Sequence, residues 1–306
     1  MKFLPEGLLI EKEENKHHFE NLAFLYEAMA KGKTLEARAI VCEGNHNLIV
    51  DMGVIKGVIP REEGAIGISE GTTRDIAIIS RVNKPVCFKI TSFERDCFGK
   101  TVAVLSRKKA QLECRNEYLS KLKAGDIIDA KVTHLEQFGA FVDIGCGIIS
   151  LIPIDMISIS RISHPKDRFY VGQNIKAIVK SIDENRISLT HKELLGTWEE
   201  NVASFEAGET VSGIIRSVEE YGIFVELTPN LAGLAELKSG VSPGQQASVF
   251  IKSMLPDKMK VKLIIVDSFD EKVPLPNISY FIKDGHISHW LYSPPESEKI
   301  IETVFE

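Results

Sequence analysis

Residues 124–144 and 207–227 align without a gap, and this internal repeat constrains the fold more than any other feature of the chain. The first copy opens Ala124-Gly125-Asp126 and the second Ala207-Gly208-Glu209; each then alternates apolar and polar residues. Each ends on an aromatic-Gly-x-Phe-Val-acid-aliphatic signature, Phe138–Ile144 in one and Tyr221–Leu227 in the other. Downstream, both reach a Gly-Gln turn (Val171–Gln173, Pro243–Gln245) and close on a short alternating run (Arg186–Leu189, Lys260–Leu263). A repeat is one structural unit used more than once, so it fixes the architecture ahead of local assignments. A weaker copy precedes them, with Gly32–Val41 as its first run, His46–Gly53 in place of the aromatic signature and Val102–Ser106 as its closing run. There His46 and Ile49 stand where the rings stand in the other two.

Alternating runs of five to eight residues bounded by Gly, Asp and Asn read as short antiparallel strands. About five such strands per unit predict an all-β chain with connecting helices, built from small closed Greek-key barrels of the OB type. The predicted organisation is an N-terminal helical extension (1–31), a degenerate first barrel (32–110), a linker helix (111–123), a second barrel (124–192), a second linker helix (193–206), a shortened third barrel (207–268) and a C-terminal hairpin and tail (269–306). In the extension, Phe19, Leu22, Ala23, Tyr26, Met29 and Ala30 fall near one helical face, which should cap the first barrel. Trp198, amid the acids of the second linker, should pack that helix on a barrel. In the tail, the aromatic-rich stretch Ile278–Tyr292 surrounds a Lys283-Asp284-Gly285 turn and predicts a hairpin.

Charge is unevenly distributed. The net charge is -6, yet residues 33–110 hold 13 Lys/Arg against 9 Asp/Glu (+4) and residues 121–192 hold 10 against 8 (+2). Residues 193–268 hold 6 against 11 (-5) and residues 269–306 hold 3 against 7 (-4). A mildly basic middle suits a local polyanion-binding patch, not an indiscriminate salt-resistant grip. The five scattered cysteines form no CxxC pair, which predicts reduced thiols in a cytoplasm and argues against a disulfide framework or a zinc site. No apolar run approaches the length of a membrane span, so no membrane partner is expected. P-loop, GxSxG, HExxH and GxGxxG contexts are all missing, no cofactor is implied, and a non-enzymatic role is expected.

Rings on a small barrel suit unpaired nucleotides, whose bases stack on exposed aromatics along a groove that also tracks phosphates. Phe138 and Phe141 are candidates in the second unit, Tyr221 and Phe224 in the third. Strict alternation would send Phe138 and Phe141 to opposite faces, so Gly139 is expected to bend the strand and bring both rings to one side. Arg186 and Lys260 occupy matching places on the closing strands and supply positive charge; Lys131 and Arg216 on the first strands are weaker candidates.

These motifs resemble the S1 domain, an OB-fold RNA-binding module. The resemblance covers roughly residues 33–266 and rests on the Phe/Tyr-Gly-x-Phe-Val-acid signature, the Gly-Gln turn and the Ile182-Asp183…Arg186-Ile187-Ser188-Leu189-Thr190 closing segment. It implies single-stranded RNA as partner, mRNA at or near the ribosome in particular, with little sequence specificity. It also implies that the ring pairs, Asp183 and Arg186 belong to the RNA surface. Where family members often carry a His, this chain has Pro60, Pro153 and Glu236, and Glu236 would repel phosphate. The helix-bearing connection with His164, a further candidate contact, is missing from the third unit. The second unit is therefore expected to be the main RNA reader, the third auxiliary and the first a docking or structural barrel. The rival expectation is a protein-interaction adaptor, tied to the ribosome or to an RNA-processing enzyme, whose barrels have lost RNA.

Overall fold

The computed structural model describes residues 3–183, 186–270 and 278–306; parts of the predicted extension (residues 1–2) and tail (residues 271–277) lie outside the described residues. Three closed five-stranded barrels follow one another along the chain. The first is built from β1 (Leu35–Cys42), β2 (Leu48–Asp51), β3 (Lys56–Ile59), β4 (Pro85–Arg95) and β5 (Thr101–Ser106), ordered β1-β2-β3-β5-β4. The second uses β6 (Ile127–Glu136), β7 (Gly139–Asp143), β8 (Ile149–Pro153), β9 (Asn174–Asp183) and β10 (Arg186–Thr190). β11 (Thr210–Glu219), β12 (Gly222–Thr228), β13 (Leu231–Ala235), β14 (Gln246–Leu255) and β15 (Lys260–Phe269) make the third. The third and fifth strands pair in parallel, at Val58↔Val104, Leu151↔Ser188 and Leu234↔Lys262, and this contact closes each barrel.

Alternation in the sequence becomes alternation in burial. Along β15, Val261, Leu263 and Ile265 point inward while Lys260, Lys262, Ile264 and Val266 face out. Each buried aliphatic contributes about 1.5–3 kcal/mol of transfer free energy, and this uniform inward set holds the register. The first strand bulges at equivalent places, Ala39/Val41 in the first barrel and Ile215/Ser217 in the third, coiling it enough for closure.

Two compact units divide the chain. The first extends to Leu122 and includes the Asp143–Ile149 turn that follows β7. Burial of polar groups explains why that turn belongs there. The Asp143 carboxylate accepts from the backbone N–H of Glu6 (2.7 Å), Cys146 N–H donates to Leu4 C=O (2.9 Å), and Gln111 Nε2 donates to Cys146 C=O (3.2 Å). Glu6 is itself paired with Arg107 (2.7 Å), both almost fully buried. The extension forms two short helices, Glu13–His18 and Leu22–Ala30, instead of one continuous helix, with Asn21 Oδ1 capping the second through Phe24 N–H. Phe19, Leu22 and Met29 pack on the first core as the periodicity implies, together with fully buried Leu25 and Ala28. Tyr26 stays 44% exposed, against Phe93 at 4.1 Å.

The second unit holds residues 123–142 and 150–306, hence the second and third barrels and the tail. Trp198 begins a five-residue helix, Trp198–Val202, and is buried in the core cluster of the third barrel. The tail corrects the expectation of a hairpin around Lys283–Gly285. That turn lies against the second barrel, with Ile127 N–H donating to Gly285 C=O (3.0 Å) and Ile287 N–H to Gly125 C=O (2.9 Å). Among the described residues of the tail, β16 (His289–Leu291) and β17 (Glu302–Val304) pair antiparallel. A local turn signal was outcompeted by edge hydrogen bonds from a strand more than a hundred residues away.

Candidate nucleic-acid interface

Backbone pairing places the outer-face side chains of each barrel in one row across the sheet. In the third barrel the row runs Ser217–Phe224–Leu234–Lys262–Ser253 over β11, β12, β13, β15 and β14. Neighbouring strands lie about 4.8 Å apart, so Phe224 and Lys262 stand roughly 10 Å from each other. The corresponding row of the first barrel is Val41–Ile49–Val58–Val104–Ser92. Four of its five positions are aliphatic, and the barrel offers neither ring nor cation there.

Phe138 sits in the tight turn between β6 and β7, 57% exposed, and meets the half-buried Phe141 edge to face with centroids 5.9 Å apart. Tyr221, 71% exposed, meets Phe224 in the same way at 6.1 Å. Both members of each pair thus stand on one side, and at Phe138 the reason differs from the one read from sequence, whereas Gly222 does take a positive φ of 149°. Gly139 takes no left-handed conformation; a Cβ there would lie 2.5 Å from Ile152 C=O and 3.0 Å from Leu151 Cδ1. At Gly222 a Cβ would lie 2.7 Å from Ala235 C=O. The glycine lets the turn close onto the next strand, and the aromatic before it, lying in the turn, escapes strand alternation altogether.

The charged candidates separate into distinct surroundings. Arg186 and Lys260, at matching positions, are exposed and stand opposite Asp183 and Leu255. Asp183 is exposed and accepts from Ser181 Oγ (3.4 Å). Lys131, half-buried, pairs across β6–β9 with Asn174. His164 acts locally: its Nδ1 accepts from Lys166 N–H (3.1 Å) and its N–H donates to Asp167 (3.3 Å), capping the short turn Pro165–Asp167.

Arg216 is spoken for. Its Nε and Nη2 donate to Glu226 (2.7 and 3.1 Å), Asp167 lies 3.9 Å away, and Glu226 also accepts from Arg168. Glu226 and Arg168 are about 5–6% exposed and Arg216 13%, so this is a buried junction between the second and third barrels. Burial lowers the proton affinity of Arg168 and adjacent Arg216 adds to the effect, while Glu226 opposes it. Asn230 completes the junction, accepting from Ile159 N–H (2.9 Å) and donating to Lys192 C=O and Gly196 C=O (2.8 and 2.9 Å).

Sequence reasoning passed over His134, and alternation put Lys262 on the outer face with Lys260 without ranking it as a site residue. Lys262, not Lys260, shares the row of Phe224. His134 on β6 is exposed and lies near-parallel to Phe141, with centroids 6.3 Å apart and a 27° interplanar angle. Counting back across a two-residue turn, as for Ser217 opposite Phe224, would have found it. Acids also border the ring pair of the third barrel: Glu219 and Glu220 are exposed beside Tyr221, and Glu236 is bound to Lys252 at 3.4 Å.

The S1 RNA binding domain family matches residues 121–192, the second barrel with its approach. Small ribosomal subunit protein bS1 of Staphylococcus aureus is 29% identical over 277 residues, covering 84% of this chain and 66% of that protein. The bS1 protein of Staphylococcus saprophyticus is 30% identical over 281 residues, covering 86% of this chain and 67% of its own length. This chain thus spans about two thirds of the length of the curated relatives it matches. Among solved structures, a multidomain protein with nucleic acid binding domains from Streptococcus pneumoniae aligns at 14% identity with a TM-score of 0.26, covering 79% of this chain and 76% of that one. With three closed five-stranded barrels and this relationship along most of its length, the chain belongs to the family of S1-domain repeat proteins that includes bacterial ribosomal protein bS1.

Proposed function

We propose that this protein is a non-catalytic binder of single-stranded RNA that contacts mRNA in translation, in the cytoplasm, with little sequence preference. The observation that carries the reading is a ring pair with one exposed member, repeated in two barrels, each with at least one outward cation on the closing strand. Every base has a stacking face, so rings give affinity of about 1–3 kcal/mol per base without reading sequence. The second barrel is the principal reader, using Phe138, Phe141 and Arg186, with Asp183 and Lys131 at its margin. The third, using Tyr221, Phe224, Lys260 and Lys262, is auxiliary because its rings are bordered by carboxylates. Arg216 and His164 support the framework that holds the surface.

The aliphatic row of the first barrel favours a docking or structural role for that barrel, as in the rival adaptor reading, with the ribosome as partner. The two readings separate in one titration. Fluorescence anisotropy with labelled 12-mers of oligo(U), oligo(A) and mixed sequence, at about 0.15 M salt, is expected to give similar affinities for all three. Binding to none of them would leave the adaptor reading standing.

A further inference from the structure

An imidazole stands beside the ring pair of the second barrel. His134 projects from β6 with 63% of its side chain exposed, its ring 27° from parallel to Phe141 and 6.3 Å away centroid to centroid. Phe138 meets the same Phe141 edge-on at 5.9 Å, so two rings flank a third. Thr133, next to His134, donates its Oγ1 to Phe141 C=O (3.1 Å), fixing the β6–β7 alignment that sets this spacing. The imidazole is also oriented: His134 Nε2 and Glu136 Oε1 are 2.7 Å apart. The third barrel has Ser217 at the equivalent place, opposite Phe224, and so presents two rings where the second presents three.

We propose that His134 is a further base-contacting residue, supplying a third stacking face on β6 and making the second barrel the tighter RNA reader. This rests on the RNA-binding reading above. The exposed Glu136 beside it disfavours a phosphate at this point, so the ring face and not the charge is the group offered to the nucleotide.

The test is anisotropy titration of labelled oligo(U) 12-mer with the full chain and its His134→Ala, His134→Phe and His134→Lys variants, each checked for unchanged thermal melting. Loss of one stacked base weakens binding by about fivefold or more. His134→Ala and His134→Lys are expected to show that loss, while His134→Phe stays within about twofold of wild type. Equal affinity of wild type and His134→Ala, with wild type binding well, overturns the inference and leaves the RNA reading intact. Retention by His134→Lys with loss by His134→Phe overturns it in favour of a phosphate contact. A wild-type chain that binds no oligonucleotide removes the RNA reading and this inference with it.

Discussion

Glu226→Ala should be among the most damaging single substitutions in the second unit. The carboxylate accepts from Arg216 at 2.7 and 3.1 Å and from Arg168, and all three side chains are largely sealed from water. Deleting it leaves two buried guanidiniums together, with the Asp167 carboxylate 3.9 Å from Arg216 and the Asp167 C=O accepting from Arg168 (3.1 Å) as partial compensation. Removing one partner of a buried ion pair costs about 3–5 kcal/mol. For a domain of about 150–250 residues each kcal/mol shifts Tm by about 2–4 °C, so a drop of about 6–20 °C is expected. Intrinsic tryptophan fluorescence reads this unit directly, since both tryptophans, Trp198 and Trp290, are buried in its third-barrel core. A concerted Arg168→Met/Arg216→Met/Glu226→Leu variant should melt near or above wild type, because apolar residues of similar volume avoid the desolvation cost. If Glu226→Ala melts within about 2 °C of wild type, the junction behaves as a solvated surface pair and the reasoning fails.

Other expectations follow from the same geometry. Arg186→Ala should reduce the steepness of the log Kd against log[salt] plot for single-stranded RNA by about 0.7, one phosphate's worth, while Arg216→Ala leaves the slope unchanged. Gly139→Ala should destabilise the second barrel by about 1–3 kcal/mol in urea titration, because its Cβ falls 2.5 Å from Ile152 C=O; an unchanged midpoint would show that β8 yields freely. Burial drives the His191 imidazole down from its ordinary 6.5 to about 4, with Nδ1–H donating to Ile157 C=O at 2.8 Å and Nε2 facing the Tyr280 hydroxyl at 3.2 Å. Between those values the unfolded chain binds a proton that the folded chain refuses, so stability is full above pH 6.5 and falls as pH drops toward 4, by up to about 3 kcal/mol. His191→Gln should flatten that part of the profile, and an identical slope would place the pH dependence elsewhere.

The barrels were legible because each depends on a period-2 pattern repeated at nearly fixed spacing, and burial enforces that pattern strand by strand. The ring pairs were legible for the same reason, although alternation alone mislocated Phe138; the turn before Gly139 releases it from the strand's phase. What stayed hidden was long-range pairing. Nothing near Arg216 in sequence announces that Asp167 and Arg168, almost fifty residues earlier, will stand beside Glu226. The Lys283–Gly285 turn carries a sound local hairpin signal, yet its backbone groups find partners at Gly125 and Ile127 instead. Lys262 required the parallel β13–β15 register, which no alternation pattern encodes.

The central claim is that exposed rings at the two hairpin turns hold unpaired nucleotides. Its most direct measurement is single-stranded RNA affinity of the wild-type chain against a Phe138→Ala/Tyr221→Ala double variant, at fixed salt and with folding verified. Each lost stack removes about 1–3 kcal/mol, so where both rings engage one RNA the double variant should bind at least about 30-fold more weakly. Equal affinity of the two proteins would contradict the account.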